Sequence, residues 1–195
     1  WPEIERVHAA KITLLDKHVG RLLEKLKEIN QLDNTLILFT SDNGPHYAKD
    51  GHQLEFFDSN GKFKGGKRDL YEGGIRVPLI AYWNQNIASG TVSNHISSFQ
   101  DIMPTFSEII GFENSNDTDG ISFLPTLLSK EQEKHKFLNW EFQLSGWFQT
   151  IPNGGFRQSV RMKNWKAVRY DLGSSIELYN LENDPGETQD IAELH

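Results

Sequence analysis

A helical stripe running directly into an apolar strand most narrows what this 195-residue chain can fold into. Ile12, Leu15, Val19, Leu22, Leu26 and Ile29 recur at alternating spacings of three and four, which lines them along one helix face. Asp33 and Asn34 break the pattern, and residues 35–40, Thr-Leu-Ile-Leu-Phe-Thr, follow as a short, continuous apolar run. That run predicts a strand buried on both faces, the kind found in a parallel sheet covered by helices. Helix, tight connection and buried strand are half of a βαβ unit, so the strand that should precede them is expected upstream. The opening Trp1-Pro2-Glu3, with no Met and no signal-like segment, fits a start inside a longer protein.

A second apolar run, residues 77–83, predicts another buried strand, with Pro78 at its start or where no ladder N–H is needed. Between the two strands, residues 41–66 form a long polar loop whose one apolar cluster holds Leu54, Phe56 and Phe57. Loops of that length in compact domains are usually functional or mobile. A short helix is expected over residues 101–110, with Pro104 in its first turn and Gly111 at its end. The charged stretch Lys130-Glu131-Gln132-Glu133-Lys134 suggests a boundary that divides the chain into residues 1–134 and 135–195. Beyond it, residues 137–142, 158–162, 165–170 and 176–180 read as strands, with Lys163-Asn164 as a hairpin turn and Asp184-Pro185-Gly186 after the last. The expected fold class is therefore α/β: a partial mixed sheet with helices, plus a small C-terminal antiparallel β subdomain.

Composition removes several functions. A formal charge of −7 disfavours nonspecific nucleic-acid binding, which needs a basic surface. There is no cysteine, so thiolate metal sites, disulfides and a cysteine nucleophile are all missing from these residues. No apolar run reaches membrane-spanning length.

Chemistry concentrates in two segments. Ser41-Asp42-Asn43-Gly44 sits just beyond the first strand, where ligands collect in open α/β sheets. A carboxylate and an amide carbonyl are hard oxygen ligands suited to calcium or magnesium, although two are too few to hold calcium. An Asx turn after a strand explains the same residues without a metal. The second segment, residues 65–78, brings Lys67 and Arg68 through a glycine-rich approach to the same sheet edge. A lysine there can hold a phosphate- or sulfate-like group as a point charge. The alternative is that both cations are solvated, with Arg76 paired to Glu72 or Asp69.

Together these pieces resemble the sulfatase family of the alkaline-phosphatase-like superfamily. The resemblance rests on residues 14–23, on Phe39-Thr40-Ser41-Asp42-Asn43-Gly44, and on Gly66-Lys67-Arg68-Asp69-Leu70-Tyr71-Glu72-Gly73-Gly74-Ile75-Arg76-Val77-Pro78. Asp101-Ile102-Met103-Pro104-Thr105, residues 119–125, Trp165-Lys166 and residues 178–187 continue it in the family's order. It implies calcium ligation by Asp42 and Asn43, and a Lys67 that binds the sulfate group and assists departure of the ester oxygen. Tyr71, Glu72 and Arg76 match the signature as scaffold. His46 and Arg68 are candidate substrate contacts. Trp140, Glu141, Arg157 and Gln158 are weighed between substrate selection and structural roles. His8, His18, His95 and His135 are assigned none.

The family's nucleophile is a formylglycine made from the Cys or Ser of a Cys/Ser-x-Pro-x-Arg motif, and no such pentapeptide occurs here. The resemblance thus implies the C-terminal part of a sulfuric ester hydrolase acting on small-molecule or carbohydrate sulfate esters, inactive without its N-terminal half. Dimerisation or strand exchange is expected of the isolated part, because half a sheet leaves an open edge. The parent is expected to be exported, whether periplasmic, extracellular or lysosomal. Two other readings stand beside this one: a phosphatase, phosphodiesterase or phosphonate hydrolase of the same superfamily, and a non-catalytic homologue that binds anionic glycans.

Overall fold

The structure, a computed structural model, describes residues 1–46, 51–112, 118–143 and 155–195. Helix α1 spans Glu3–Glu28, with acidic Glu3 and Glu5 in its first turn and Lys25 and Lys27 in its last, as the helix dipole favours. It closes on Asn30, whose positive φ of 55° lets the Asn30 and Gln31 amides donate back to Lys27 and Leu26. Strand β1 is Ile37–Thr40 and β2 is Leu79–Tyr82, and the two pair as a two-stranded sheet. Pro78 lies just before β2, where no ladder N–H is lost.

The expectation of strands buried on both faces is corrected. Phe39 is 41% exposed in β1, and Leu79, Ile80 and Tyr82 of β2 are all exposed. Apolar composition permits double burial, but only covering layers produce it, and among the described residues this ladder is two strands wide. The α1 stripe is likewise solvent-facing at Ile12, Leu15 and Leu22.

The described chain forms two compact units. One comprises Gly20–Phe39 and Ile80–Lys136. Here helix α3, Ile102–Ile109, ends at Gly111 with φ 68°. A four-residue helix α4 spans Leu124–Leu127. Asp101, fully buried, organises this region: its carboxylate accepts the Ser98 amide at 2.7 Å, the Ile121 amide at 2.8 Å and His135 Nε2 at 2.8 Å. Thr105 Oγ1 donates to the Asp101 carbonyl and accepts the Phe123 amide. The Asp101 and 119–125 motifs are therefore one hydrogen-bonded scaffold, and His135 is part of it.

The other unit comprises Trp1–Val19, Thr40–Leu79 and Phe137–His195. Its C-terminal strands are β3 Leu138–Gln143, β4 Phe156–Met162, β5 Trp165–Arg169 and β6 Glu177–Asn180, in antiparallel order β3-β4-β5-β6. The turn is at Lys163, with φ 56°, and pairs Met162 with Trp165. The inner face carries Val168 and Tyr179, packed with Leu70 and Leu181. Each such fully buried side chain contributes about 1.5–3 kcal/mol. Tyr71, Ile75, Trp140, Phe142 and Tyr170 pack around this cluster. Because Leu70, Tyr71 and Ile75 belong to the segment containing Lys67, the antiparallel sheet is the floor on which that segment rests.

Candidate active site

Two backbone hydrogen bonds join the segments singled out in the sequence. The Gly44 amide donates to the Gly74 carbonyl, and the Lys67 amide donates to the Pro45 carbonyl, each at 2.8 Å. Such closeness needs glycine: a Cβ on Gly44 would stand 1.8 Å from the Gly73 carbonyl oxygen. Asp42 and Asn43 are thereby carried on a loop laced to the turn that bears Lys67.

Within the loop, Ser41 Oγ donates to the Asn43 carbonyl at 2.8 Å, and Asn43 Nδ2 donates to the Gly44 carbonyl at 2.9 Å. The second bond commits the amide nitrogen and leaves Asn43 Oδ1 as an acceptor. Asp42 is exposed, and its carboxylate has no hydrogen bond or ion pair among the described residues. A carboxylate and an amide oxygen on consecutive residues, neither with a partner among the described residues, fit a hard cation. They fit only as part of a shell, because calcium takes six to eight oxygens and no cluster of three metal-ligating His, Cys, Asp or Glu occurs among the described residues. His46, one residue after Pro45, is exposed, whereas Lys67 and Arg68 are half-buried.

The turn carrying Lys67 is tightly constrained. Gly65 has φ 77° and Arg68 φ 81°, the latter in a region that side chains other than glycine rarely enter. Asp69 closes the turn: its Oδ2 accepts the Gly66 amide at 3.0 Å. From β4, Arg157 Nη1 donates to the Arg68 carbonyl at 2.6 Å and to Asp69 Oδ1 at 3.1 Å. Tyr170 OH also donates to Asp69 Oδ1, at 3.3 Å. Burial, reinforced by the Asp69 charge, pushes the Tyr170 phenol far above its usual range and keeps it a donor.

Helix α2, Glu72–Ile75, follows directly and anchors this segment through charge. Lys166, fully buried in β5, lies 3.0 Å from both Glu72 Oε1 and Glu187 Oε1. Glu187 Oε2 accepts the Glu72 amide at 2.6 Å. Arg161 and Arg76 complete the cluster at 3.2 and 3.5 Å from Glu72 Oε2. Burial pushes the Glu187 carboxyl above its ordinary value, against the pull of Lys166.

The structure thus brings Asp42, Asn43, His46, Lys67 and Arg68 to adjoining backbone, with Glu72 and Arg76 as scaffold. Trp140 belongs to the core. Glu141 and Gln158 lie on the outer sheet face, where Gln158 bonds both Glu141 and Arg169. Arg157 is buried beneath the Lys67 turn. Sequence reasoning missed the Asp69–Arg157 pair and the Lys166 cluster, for which a polar residue in register with inward-facing neighbours was the available signal. It also missed Glu5–His52, where His52 Nδ1 lies 2.5 Å from a buried Glu5 carboxylate and the His52 ring stacks on His8 at 3.8 Å.

Comparison with known proteins gives this arrangement its class. Residues 4–112, more than half of the chain, match the Sulfatase family model, and residues 60–194 match that for the C-terminal region of N-sulphoglucosamine sulphohydrolase. The chain belongs to the sulfatase family, and its mixed α/β architecture is part of the alkaline-phosphatase-like fold.

Among individual relatives, human N-acetylgalactosamine-6-sulfatase is 37% identical over 58% of this chain and 22% of its own length. N-acetylglucosamine-6-O-sulfatase of Bacteroides thetaiotaomicron is 30% identical over 98% of this chain and 32% of its own length. The structure of BT4656 in complex with its substrate D-glucosamine-2-N,6-O-disulfate superposes with a TM-score of 0.73 at 27% identity, covering 92% of this chain and 34% of that one. The chain therefore spans about a fifth to a third of the length of these relatives. No helix among the described residues is long and apolar enough to cross a membrane.

Proposed function

We propose that this chain is the C-terminal part of a calcium-dependent sulfatase that hydrolyses sulfate monoesters, with sulfated sugars as the substrate class. The observation that carries the reading is the lacing of the Asp42-Asn43 loop to the Lys67 turn through Gly44, Pro45 and Gly74. It joins the backbone that carries Asp42 and Asn43 to the backbone that carries Lys67, which supports a site combining hard oxygen ligands with an ammonium, the combination that an anionic ester with a poor leaving group requires. The sugar specificity is supported by relatives named for 6-sulfated hexosamines and by the bound disulfate of BT4656.

In this reading Lys67 pairs with a sulfuryl oxygen in the bound ester and stabilises the charge that grows on the departing oxygen. Asp42 and Asn43 hold the cation from one side. When bound, calcium neutralises charge on the sulfuryl oxygens as a Lewis acid. Arg68 and His46, flanking these groups, contact the remainder of the ester. The nucleophile, a formylglycine, and the remaining cation ligands belong to an N-terminal part of the same protein. The exposed α1 stripe (Ile12 55%, Leu15 53%, Leu22 66%) is the surface such a part would cover.

Release of inorganic sulfate from 4-nitrophenyl sulfate and from 6-O-sulfated N-acetylhexosamines tests the proposal. The full-length protein should turn over at least one of them, and these 195 residues alone should turn over none. Substantial turnover by the chain alone would overturn the division of labour.

A further inference from the structure

Arg157 lies outside the residues to which the proposed chemistry was assigned, yet its contacts converge on one of them. It sits on the inner face of β4 and is only 5% exposed. One nitrogen, Nη1, reaches the Arg68 carbonyl at 2.6 Å and Asp69 Oδ1 at 3.1 Å. The other Asp69 oxygen holds the Gly66 amide at 3.0 Å. The Arg157 contacts therefore bracket Lys67: Gly66, immediately before it, is tied through Asp69, and Arg68, immediately after it, is tied directly. The guanidinium also lies over the Tyr170 ring, 4.7 Å from its centroid, and Tyr170 OH supports the same carboxylate.

This bracket falls where the backbone is least comfortable. Arg68 is held at φ 81°, a conformation that persists only when its surroundings over-determine it. A buried cation on the Arg68 carbonyl supplies that constraint. Remove it, and Arg68 can relax toward an ordinary conformation, swinging the Lys67 Cα–Cβ bond with it. The Lys67 amide would still be tied to Pro45, so the turn would pivot rather than detach.

From this geometry we infer that Arg157 is a positioning residue, which aims the Lys67 ammonium at the ester from the C-terminal sheet without touching substrate. The inference rests on the sulfatase reading of Lys67 and adds a second element to it. A displacement of about 1 Å at a reacting group can cost roughly 100-fold in rate, so a remote arginine can matter this much. It also follows that the antiparallel sheet contributes to catalysis through its inner face.

The test uses the full-length enzyme and aryl sulfates whose phenols differ in acidity. Arg157→Ala should lower kcat about 10- to 100-fold with a smaller change in KM, and the loss should grow as the phenol becomes a poorer leaving group. That trend follows because Lys67 assists the departing oxygen, and a good leaving group needs little help. Arg157→Lys keeps a buried cation within reach of both acceptors and should recover most of the activity. In a Lys67→Ala background, Arg157→Ala should cost only about twofold more, since residues acting as a unit are not additive.

Equal losses across all phenols, or a full additional loss in the Lys67→Ala background, would overturn the positioning role and leave the sulfatase reading standing. Full activity of Lys67→Ala would instead remove both. Should Arg157→Ala fail to fold, Tyr170→Phe deletes only the hydroxyl on Asp69 and should show a weaker form of the same leaving-group trend. A flat response there would also overturn the inference.

Discussion

Replacing Lys166 with Met removes one charge from a cluster that has no solvent to compensate it. The ammonium is fully buried and lies 3.0 Å from carboxylate oxygens of both Glu72 and Glu187, themselves about 1% exposed. Met nearly conserves volume, so the loss is electrostatic rather than a cavity. Glu72 keeps Arg161 at 3.2 Å and Arg76 at 3.5 Å, whereas Glu187 is left with only the Glu72 amide as its described donor. Breaking a buried pair in this way costs about 3–5 kcal/mol. For a chain of this size that corresponds to a fall in Tm of roughly 10 °C.

The sign of the pH dependence follows from Glu187, whose carboxyl is already raised above its ordinary value by burial. A raised folded-state pKa favours the folded form at low pH and loses that advantage as pH rises through it. With Lys166 gone the rise becomes larger, so the Lys166→Met deficit should be smaller at pH 5 than at pH 8. The double variant Lys166→Met/Glu187→Gln, which retains an acceptor for the Glu72 amide, should regain about half of the loss. Urea denaturation at the two pH values gives all three quantities. A single-variant deficit under about 1 kcal/mol, or one equally large at both pH values, would refute the reasoning.

Three further outcomes are expected. Gly44→Ala places a methyl group 1.8 Å from the Gly73 carbonyl and should separate the Asp42-Asn43 loop from the Lys67 turn, lowering calcium affinity by titration calorimetry about 10-fold or more. Asp42→Asn, which removes charge but little volume, should weaken calcium binding in the full-length protein while leaving Tm in calcium-free buffer unchanged. Third, acid should loosen the contact between α1 and the segment at His52. Burial and the neighbouring His52 hold His8 below its ordinary pKa, so the stability it contributes is present above about pH 6.5 and is lost as pH falls. Glu5 is pushed up by burial but is held below its ordinary value by His52 and the Gln53 amide, so its contribution fades at still lower pH, below about 4.5. His8→Leu should therefore flatten the melting-temperature profile between pH 7 and pH 5.5.

What could be read from sequence was whatever depends on near neighbours. The α1 periodicity, the Lys163-Asn164 turn, Gly111 at the end of α3 and Pro78 before β2 all express local backbone preferences, and the structure places them where expected. The candidate site was proposed for a different reason: Asp42, Asn43 and Lys67 lie in motifs whose order and spacing are distinctive, and the structure adds that their backbone segments adjoin.

Pairing across long separations was not legible. Arg157 meets Asp69 across 88 residues and Lys166 meets Glu72 across 94, and neither partner announces the other. Alternation along Trp165-Lys166-Ala167-Val168 leaves open which face is inward, and a lysine is a poor guess for the inner one. Its burial becomes intelligible only once two carboxylates are seen waiting there. The exposed faces of β1 and β2 teach the converse: an apolar strand advertises a capacity for burial, and a covering layer has to realise it.

The kinetics of Lys67→Ala in the full-length enzyme bear most directly on the claim that Asp42, Asn43 and Lys67 form one wall of a sulfate-ester site. Sulfate release from a 6-O-sulfated N-acetylhexosamine should fall in kcat/KM by roughly 100- to 1,000-fold, with calcium affinity and Tm unchanged. Activity within about twofold of the parent enzyme would contradict the account.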